Sequence, residues 1–275
     1  MKKQGRATRY FVVLTVVAFA LACSSWAQDT TTTTSQDATT THSADQASTP
    51  HKATPAETSK ASGEQTDIEK RLNNAATVLN EIMNVPEKGI PQDAFADAKC
   101  VVVIPSMVRI ALVFGGEHGK GVATCRTPNG WSAPAPIDLT GGSWGLQMGG
   151  EAIDLVMLVM SKKGMDALLT NKFKIGADAS GAAGPVGRQA SGSTDWKMKS
   201  DILSYSRARG LFAGINLNGA VVKQGKDETA VLYGKVLPFE TILSGAVPPP
   251  PAARPFLSAV RKYASEARET KQTGL

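Results

Sequence analysis

The stretch from Ser204 to Val222 most restricts what this chain can fold into, because it joins two arginines to a long alternating run punctuated by glycine at 210, 214 and 219. Leu211, Ala213, Ile215 and Leu217 fall on one side of an extended chain, and Phe212, Gly214, Asn216 and Asn218 on the other, the period of a strand with one buried face. The glycines call for bends or bulges, so the sheet that holds this run should be curved. Arg207 and Arg209 share a parity and project together if the extended run reaches back to them.

Other runs supply the rest of such a sheet. Cys100–Ile104 reads as a buried strand, and Ile153–Met160, the most apolar run after the N-terminal segment, as a central one. Gly121–Arg126 and the segment from Trp131 flank Thr127-Pro-Asn-Gly130, a hairpin signal. Phe173, Ile175, Ala177 and Ala179 alternate with Lys172, Lys174, Gly176 and Asp178, a half-exposed strand with two lysines outward. Ser106–Phe114 is apolar apart from Arg109, and its periodicity leaves strand and helical turn open.

Helical signals surround these strands. Thr66-x-x-Glu69 is a capping box that should open an amphipathic helix to about Asn84, with Ile68, Leu72, Ala75, Leu79 and Ile82 on one face. Pro91 starts a short helix to about Ala98, Ser161 caps another over Lys162–Leu169, and Asp227–Gly234 and Pro238–Gly245 are helical pieces closed by glycine. After the stiff Pro248–Pro251 spacer, Phe256, Leu257, Val260, Tyr263 and Ala264 mark a last amphipathic helix. The expected fold is α+β: a curved, mostly antiparallel sheet, barrel-like, with short peripheral helices and an N-terminal amphipathic helix.

The N-terminus reads as an export signal over residues 1–27. Lys2, Lys3, Arg6 and Arg9 precede the apolar run Phe11–Ala22, and Ser25 and Ala27 supply the small residues of a cleavage site. Cys23 after Ala20-Leu21-Ala22 gives the alternative of a lipoprotein, anchored to a membrane through that cysteine. The expected location is therefore periplasmic or secreted, with anchoring if Cys23 is lipidated. Residues 28–65, rich in Thr, Ser, Ala, Asp and Gln, should be a disordered tether; 66–265 the folded domain; and 266–275 a frayed tail. Removing the signal takes four bases and no acid, so the formal charge falls from +6 to +2, which argues against nucleic acid as a partner.

Cys100 and Cys125 each sit in an apolar, strand-like run and read as two buried free thiols, with a disulfide the alternative that export permits. Neither shows metal-site spacing, and no metal or cofactor is expected. Gly115-Gly-Glu-His-Gly-Lys-Gly121 fails the phosphate-loop spacing, because Phe114 stands where the first glycine belongs and Gly121 follows Lys120, so it reads as a tight turn. Gly141–Gly150 lacks a dinucleotide fingerprint. His118 is the only histidine of the expected domain, without a Gly-x-Ser-x-Gly elbow, and Glu151 and Asp154 on a strand face opposite sides. No catalytic residues are assigned and an enzyme is not expected, a hydrolase of unknown substrate being the enzymatic alternative.

Four runs, taken in order, carry a family resemblance: Phe114-Gly-Gly-Glu-His-Gly-Lys-Gly-Val-Ala, Gly141-Gly-Ser-Trp-Gly-Leu-Gln-Met-Gly-Gly, Tyr205-Ser-Arg-Ala-Arg-Gly-Leu-Phe-Ala-Gly and Leu232-Tyr-Gly. Together they resemble the SYLF-domain family over about Asp67–Ala264, and the signal segment resembles its exported bacterial branch. The resemblance implies a non-enzymatic module; eukaryotic members bind phosphoinositides and in some cases actin filaments. The expected function is recognition of anionic lipid headgroups or a membrane surface through a basic face, with a protein-interaction module, actin-binding-like, as the alternative. The candidate contacts are Lys70, Arg71, Lys162, Lys163, Lys172, Lys174, Arg207 and Arg209.

Overall fold

Both faces of the central strands are apolar, and the sheet they form is a strongly curled, mostly antiparallel half-barrel. It is seen in a computed structural model describing residues 55–85, 89–111, 114–144, 149–186, 200–208 and 211–273. The strands are β1 (Cys100–Ala111), β2 (Phe114–Thr127), β3 (Gly130–Trp131), β4 (Ala135–Trp144), β5 (Gly149–Val159), β6 (Lys172–Lys174), β7 (Gly181–Ala183), β8 (Ile202–Ala208), β9 (Leu211–Gly214) and β10 (Val221–Gln224). Their order is β6-β10-β4-β2-β1-β5-β8-β7, with β3 on β2 and β9 on β8, and β7 runs parallel to β8. The helices are α1 (Pro55–Met83), α2 (Gln92–Asp97), α3 (Lys162–Leu169), α4 (Lys226–Tyr233), α5 (Phe239–Leu243) and α6 (Arg254–Thr273), the last entered through a 3-10 turn at Pro251–Ala253.

Alternation sorts the core in two. Val101, Val103, Val122, Val156 and Leu158 join α1, α2 and α6 on the outer face. Val102, Ile104, Ala123, Leu155 and Met157 join Phe173, Val222 and α5 inside the curl. Burial on both sides explains why Cys100–Ile104 and Ile153–Val159 read as unbroken apolar runs. Along α1, Ile68, Leu72, Leu79 and Ile82 are fully buried, each contributing roughly 1.5–3 kcal/mol.

Several sequence expectations stand in the structure. The Pro-Asn turn closes the β2–β3 hairpin with Gly130 at φ +116°, Ser161 Oγ accepts from Gly164 N to cap α3, and Gly234 ends α4 left-handed. Others are corrected. Helix α1 begins at Pro55, so Thr66-x-x-Glu69 lies inside it. Helix α6 continues to Thr273, because Ala267 is buried and Lys271 pairs with Asp97 of α2. Ser106–Ala111 proves to be strand: β1 passes Pro105 through a bulge with Ser106 at φ +52°, where Asp154 Oδ1 accepts from Ser106 N at 3.0 Å. The Gly115–Gly121 segment is part of β2 and not a turn. A β carbon at Gly119 would lie 2.6 Å from Ile104 Cγ2 and one at Gly121 2.3 Å from the Val103 carbonyl oxygen, so these glycines serve close approach.

The long 204–222 strand divides into β8, β9 and β10. Asn218 N donates to Asn216 Oδ1 and Gly219 takes φ +95°, making a turn of the polar stretch that continued the alternation. Leu211, expected inward, is 77 % exposed. The two free thiols are also corrected: Cys100 and Cys125 are direct cross-strand partners on β1 and β2, fully buried, and bonded as a disulfide.

Candidate functional site

Strand register assembles a surface on the outer face of the half-barrel that no single segment of sequence displays. Partnered residues of an antiparallel pair project to the same side. One row therefore runs Lys172, Lys223, Asp138, Lys120 across β6, β10, β4 and β2. The next runs Lys174, Val221, Thr140, His118, Val108, Ala152, reaching β1 and β5, and a third runs Gly142, Gly116, Ile110, Gly150. The alternate positions Phe173, Val222 and Leu139 point into the inner core. Lys172 directly opposite Lys223 is a like-charge pair, which opposes rather than supports the sheet.

The apolar part of this face is open. Val108 is 46 % and Ile110 55 % exposed. Between Val108 and α1 lies a trough of about 380 Å³, lined among others by Lys70, Arg71, Val108, His118 and Lys120. At its α4 side Lys120 pairs with Glu228, lies 3.9 Å from Asp138, and shares Glu228 with Arg71 at 3.6 Å. Burial pushes the Glu228 carboxyl up, but its hydrogen bond from Lys120 and the charges of Lys120 and Arg71 outweigh that and hold it below its ordinary value. Lys70 is largely exposed, with Asp67 4.0 Å away.

Of the residues singled out in the sequence, Lys172 and Lys174 stand on this face, and Lys70 and Arg71 border it from α1. Lys162 pairs with Asp166 on α3, whose Leu168 belongs to the inner core, and Lys163 approaches Asp201 to 4.0 Å. Arg207 donates to Asp154 and to Glu81 of α1; the Asp154 hydrogen bond and the two carboxylate charges raise its pKa above the ordinary arginine value. Arg209 and Cys23 lie outside the described residues. His118 is exposed in its row, and Glu151 and Asp154 face opposite sides, Asp154 engaged by Arg207 and Ser106. No three His, Cys, Asp or Glu side chains among the described residues gather as a metal site.

Sequence reasoning missed Lys120, Lys223, Val108 and Ile110. The alternation Val221-Val222-Lys223-Gln224 carried a signal for Lys223. None existed for Ile110, because exposure of an isoleucine in an apolar run is decided by what the fold leaves uncovered.

Residues 140–263 match the family model described as Ysc84, Las17-binding protein actin regulator. The chain is 28 % identical over 213 residues to the rat SH3 domain-containing YSC84-like protein 1, covering 75 % of this chain and 62 % of that protein. It is 31 % identical over 207 residues to Protein YSC84 of Saccharomyces cerevisiae, covering 72 % and 44 %, and 30 % identical over 183 residues to LAS seventeen-binding protein 3 of the same species, covering 65 % and 40 %. It thus spans less than two thirds of the length of these relatives.

Proposed function

The chain belongs to the Ysc84 (SYLF) family, and from that premise we propose that it is a non-enzymatic docking module for a protein partner of the actin-regulatory kind named in its relatives. The observation that carries the reading is the lysine-rich outer face, where the strands place Lys120, Lys172, Lys174 and Lys223 on one side. Exposed lysines attract an acidic partner surface and steer its approach. Among the described residues, no ion pair ties up Lys172, Lys174 or Lys223, so their charge is available to such a partner.

Pelleting of the mature chain with actin filaments tests this directly. The expected result is salt-sensitive binding that weakens at least about tenfold when Lys172, Lys174 and Lys223 are changed to Gln, since roughly 1.4 kcal/mol is already a factor of ten. Unchanged binding by the triple variant removes this face from the proposal.

A second reading, binding of anionic lipid headgroups, is favoured by one specific arrangement: the same lysines share the outer sheet face with the exposed side chains of Val108 and Ile110, as in an interfacial binder. Vesicles containing phosphatidylserine separate the readings. Pelleting with vesicles and not with filaments selects the lipid. Among the described residues, no helix is long and apolar enough to cross a membrane.

Export is part of the proposal, supported by the signal-like N-terminus and by a disulfide that suits an oxidising compartment. The mature chain should begin at Gln28 by intact mass. A species starting at Cys23 with added acyl mass would replace that outcome with a lipid-anchored protein.

A further inference from the structure

We infer that the outer sheet face around Val108 and Ile110 seats an acidic amphipathic helix of a partner protein, lying beside α1. The inference rests on the docking-module reading and gives that partner a shape and a chemistry.

The outer face is a single surface with two different coverings. Over the rows of Val101, Val103, Val122 and Val156 it is roofed by α1 and its neighbouring helices, which complete the outer core. Past the Ser106 bulge the same face continues through Val108 and Ile110, and there two large aliphatic side chains stand about half exposed. A solvated sheet face normally alternates polar outward, so an aliphatic pair at adjacent outward positions of a central strand is apolar surface held ready for burial. The row beside Ile110 consists of Gly116, Gly142 and Gly150, so nothing rises from the strands on either side of it.

Those glycines are not demanded by the fold. None of the three has a positive φ. A β carbon would meet nothing within 4 Å at Gly142 or Gly150, and only the Gly141 carbonyl oxygen at 3.8 Å at Gly116. Glycine in a strand is unfavourable without such a need, and in that setting it leaves room for the close approach of another backbone.

Charge selects among occupants. The trough between this face and α1 is bordered by Lys70, Arg71, Lys120 and His118 against Asp67, with Lys174 and Lys223 farther along the rows. At the trough itself Asp67, Asp138 and Glu228 offset Lys70, Lys120 and Arg71, and among the described residues the uncompensated charge of this face is the basic set Lys172, Lys174 and Lys223 along the rows. A helix crossing the strands with leucine-like residues at i, i+3, i+4 and i+7 would lay that stripe on Val108 and Ile110 and carry its flanking acids along the rows toward Lys174 and Lys223.

The test uses the full mature chain and a synthetic peptide with leucine at the i, i+3, i+4, i+7 positions and glutamate elsewhere, against the same composition scrambled so that the leucines share no face. The ordered peptide should bind and become helical, and the scrambled one should bind at least tenfold more weakly. Ile110→Asp should reduce binding of the ordered peptide at least tenfold. Gly142→Val and Gly150→Val should do the same while leaving the thermal midpoint of the chain equal or raised, since both sites have room for a side chain. That opposition between binding and stability is what a merely structural role would not produce.

Equal binding of both peptides, or unchanged binding by the three variants, overturns the inference. So does loss of phosphatidylserine-vesicle binding in Ile110→Asp with peptide binding intact, which would make the face a membrane contact. Filament pelleting retained in Ile110→Asp, with no binding of the ordered peptide to the unmodified chain, removes the helix seat and leaves the docking-module reading standing.

Discussion

The Arg207 guanidinium of β8 donates to the Asp154 carboxylate of β5 at 2.8 Å, and the two are cross-strand partners. The same guanidinium reaches Glu81 on α1, so it ties the first helix to the sheet. Arg207 and Asp154 are 23 % and 18 % exposed at their side chains, enough burial for a charged hydrogen bond to contribute more than a surface pair.

Arg207→Gln should therefore act on stability before it acts on binding. The expected loss is about 1–3 kcal/mol in denaturant unfolding, with faster amide exchange over the second half of α1. Wild-type stability combined with reduced partner binding would return Arg207 to the role its exposed-parity pattern suggested.

The Cys100–Cys125 disulfide closes a loop with a sequence separation of 25, for which chain-entropy reasoning gives about 3–4 kcal/mol. Denatured, non-reduced protein should show no free thiol. Reduction should lower the unfolding free energy by that amount. Two titratable thiols in freshly purified oxidised protein would contradict the bond.

Asp201 joins three segments: it accepts from Ser180 N and Ser180 Oγ at 2.8 Å each and from Ser161 Oγ, with Lys163 4.0 Å away. Burial pushes its carboxyl up, but those hydrogen bonds and the lysine charge outweigh burial and hold it below the ordinary 3.8. A carboxyl depressed on folding contributes stability that is present above its unfolded value and is lost as pH falls through the folded one. Stability should thus decline as pH drops below about 4, and Asp201→Asn should flatten that decline while lowering stability at pH 7. An unchanged acid slope in Asp201→Asn would show that other carboxylates carry it.

Gly121→Ala places a β carbon where the Val103 carbonyl oxygen is only 2.3 Å away, inside the β1–β2 ladder. Backbone must move, at a cost of typically 1–3 kcal/mol. Gly142→Ala on β4, with open space around it, should be neutral or stabilising in the same assay. Equal effects from the two would refute the close-approach account of the β2 glycines.

The fold was legible wherever a local rule and the tertiary environment agree. The period-two lysines at 172 and 174, the apolar run of β5, the Ser161 cap and the Gly234 terminus each follow from backbone geometry within a few residues, and each appears as read. The readings that changed depended on distant partners. Gly119 and Gly121 look like turn residues until the bulged β1 is seen against them, and Leu211 looks buried until β9 is seen paired, among the described residues, to β8 alone.

The sequence by itself carried the family resemblance, the α+β class, a curved sheet and the helices around it, because alternation, caps and glycine positions act over short spans. Only the tertiary structure decided that Cys100 faces Cys125, that Arg207 is held by Asp154 and Glu81, and that Lys120, Lys172, Lys174 and Lys223 share a face with Val108 and Ile110. The physical reason is register: which residues lie opposite each other across strands far apart in the chain is fixed by the sum of core packing along the whole sheet, and no local pattern carries that sum.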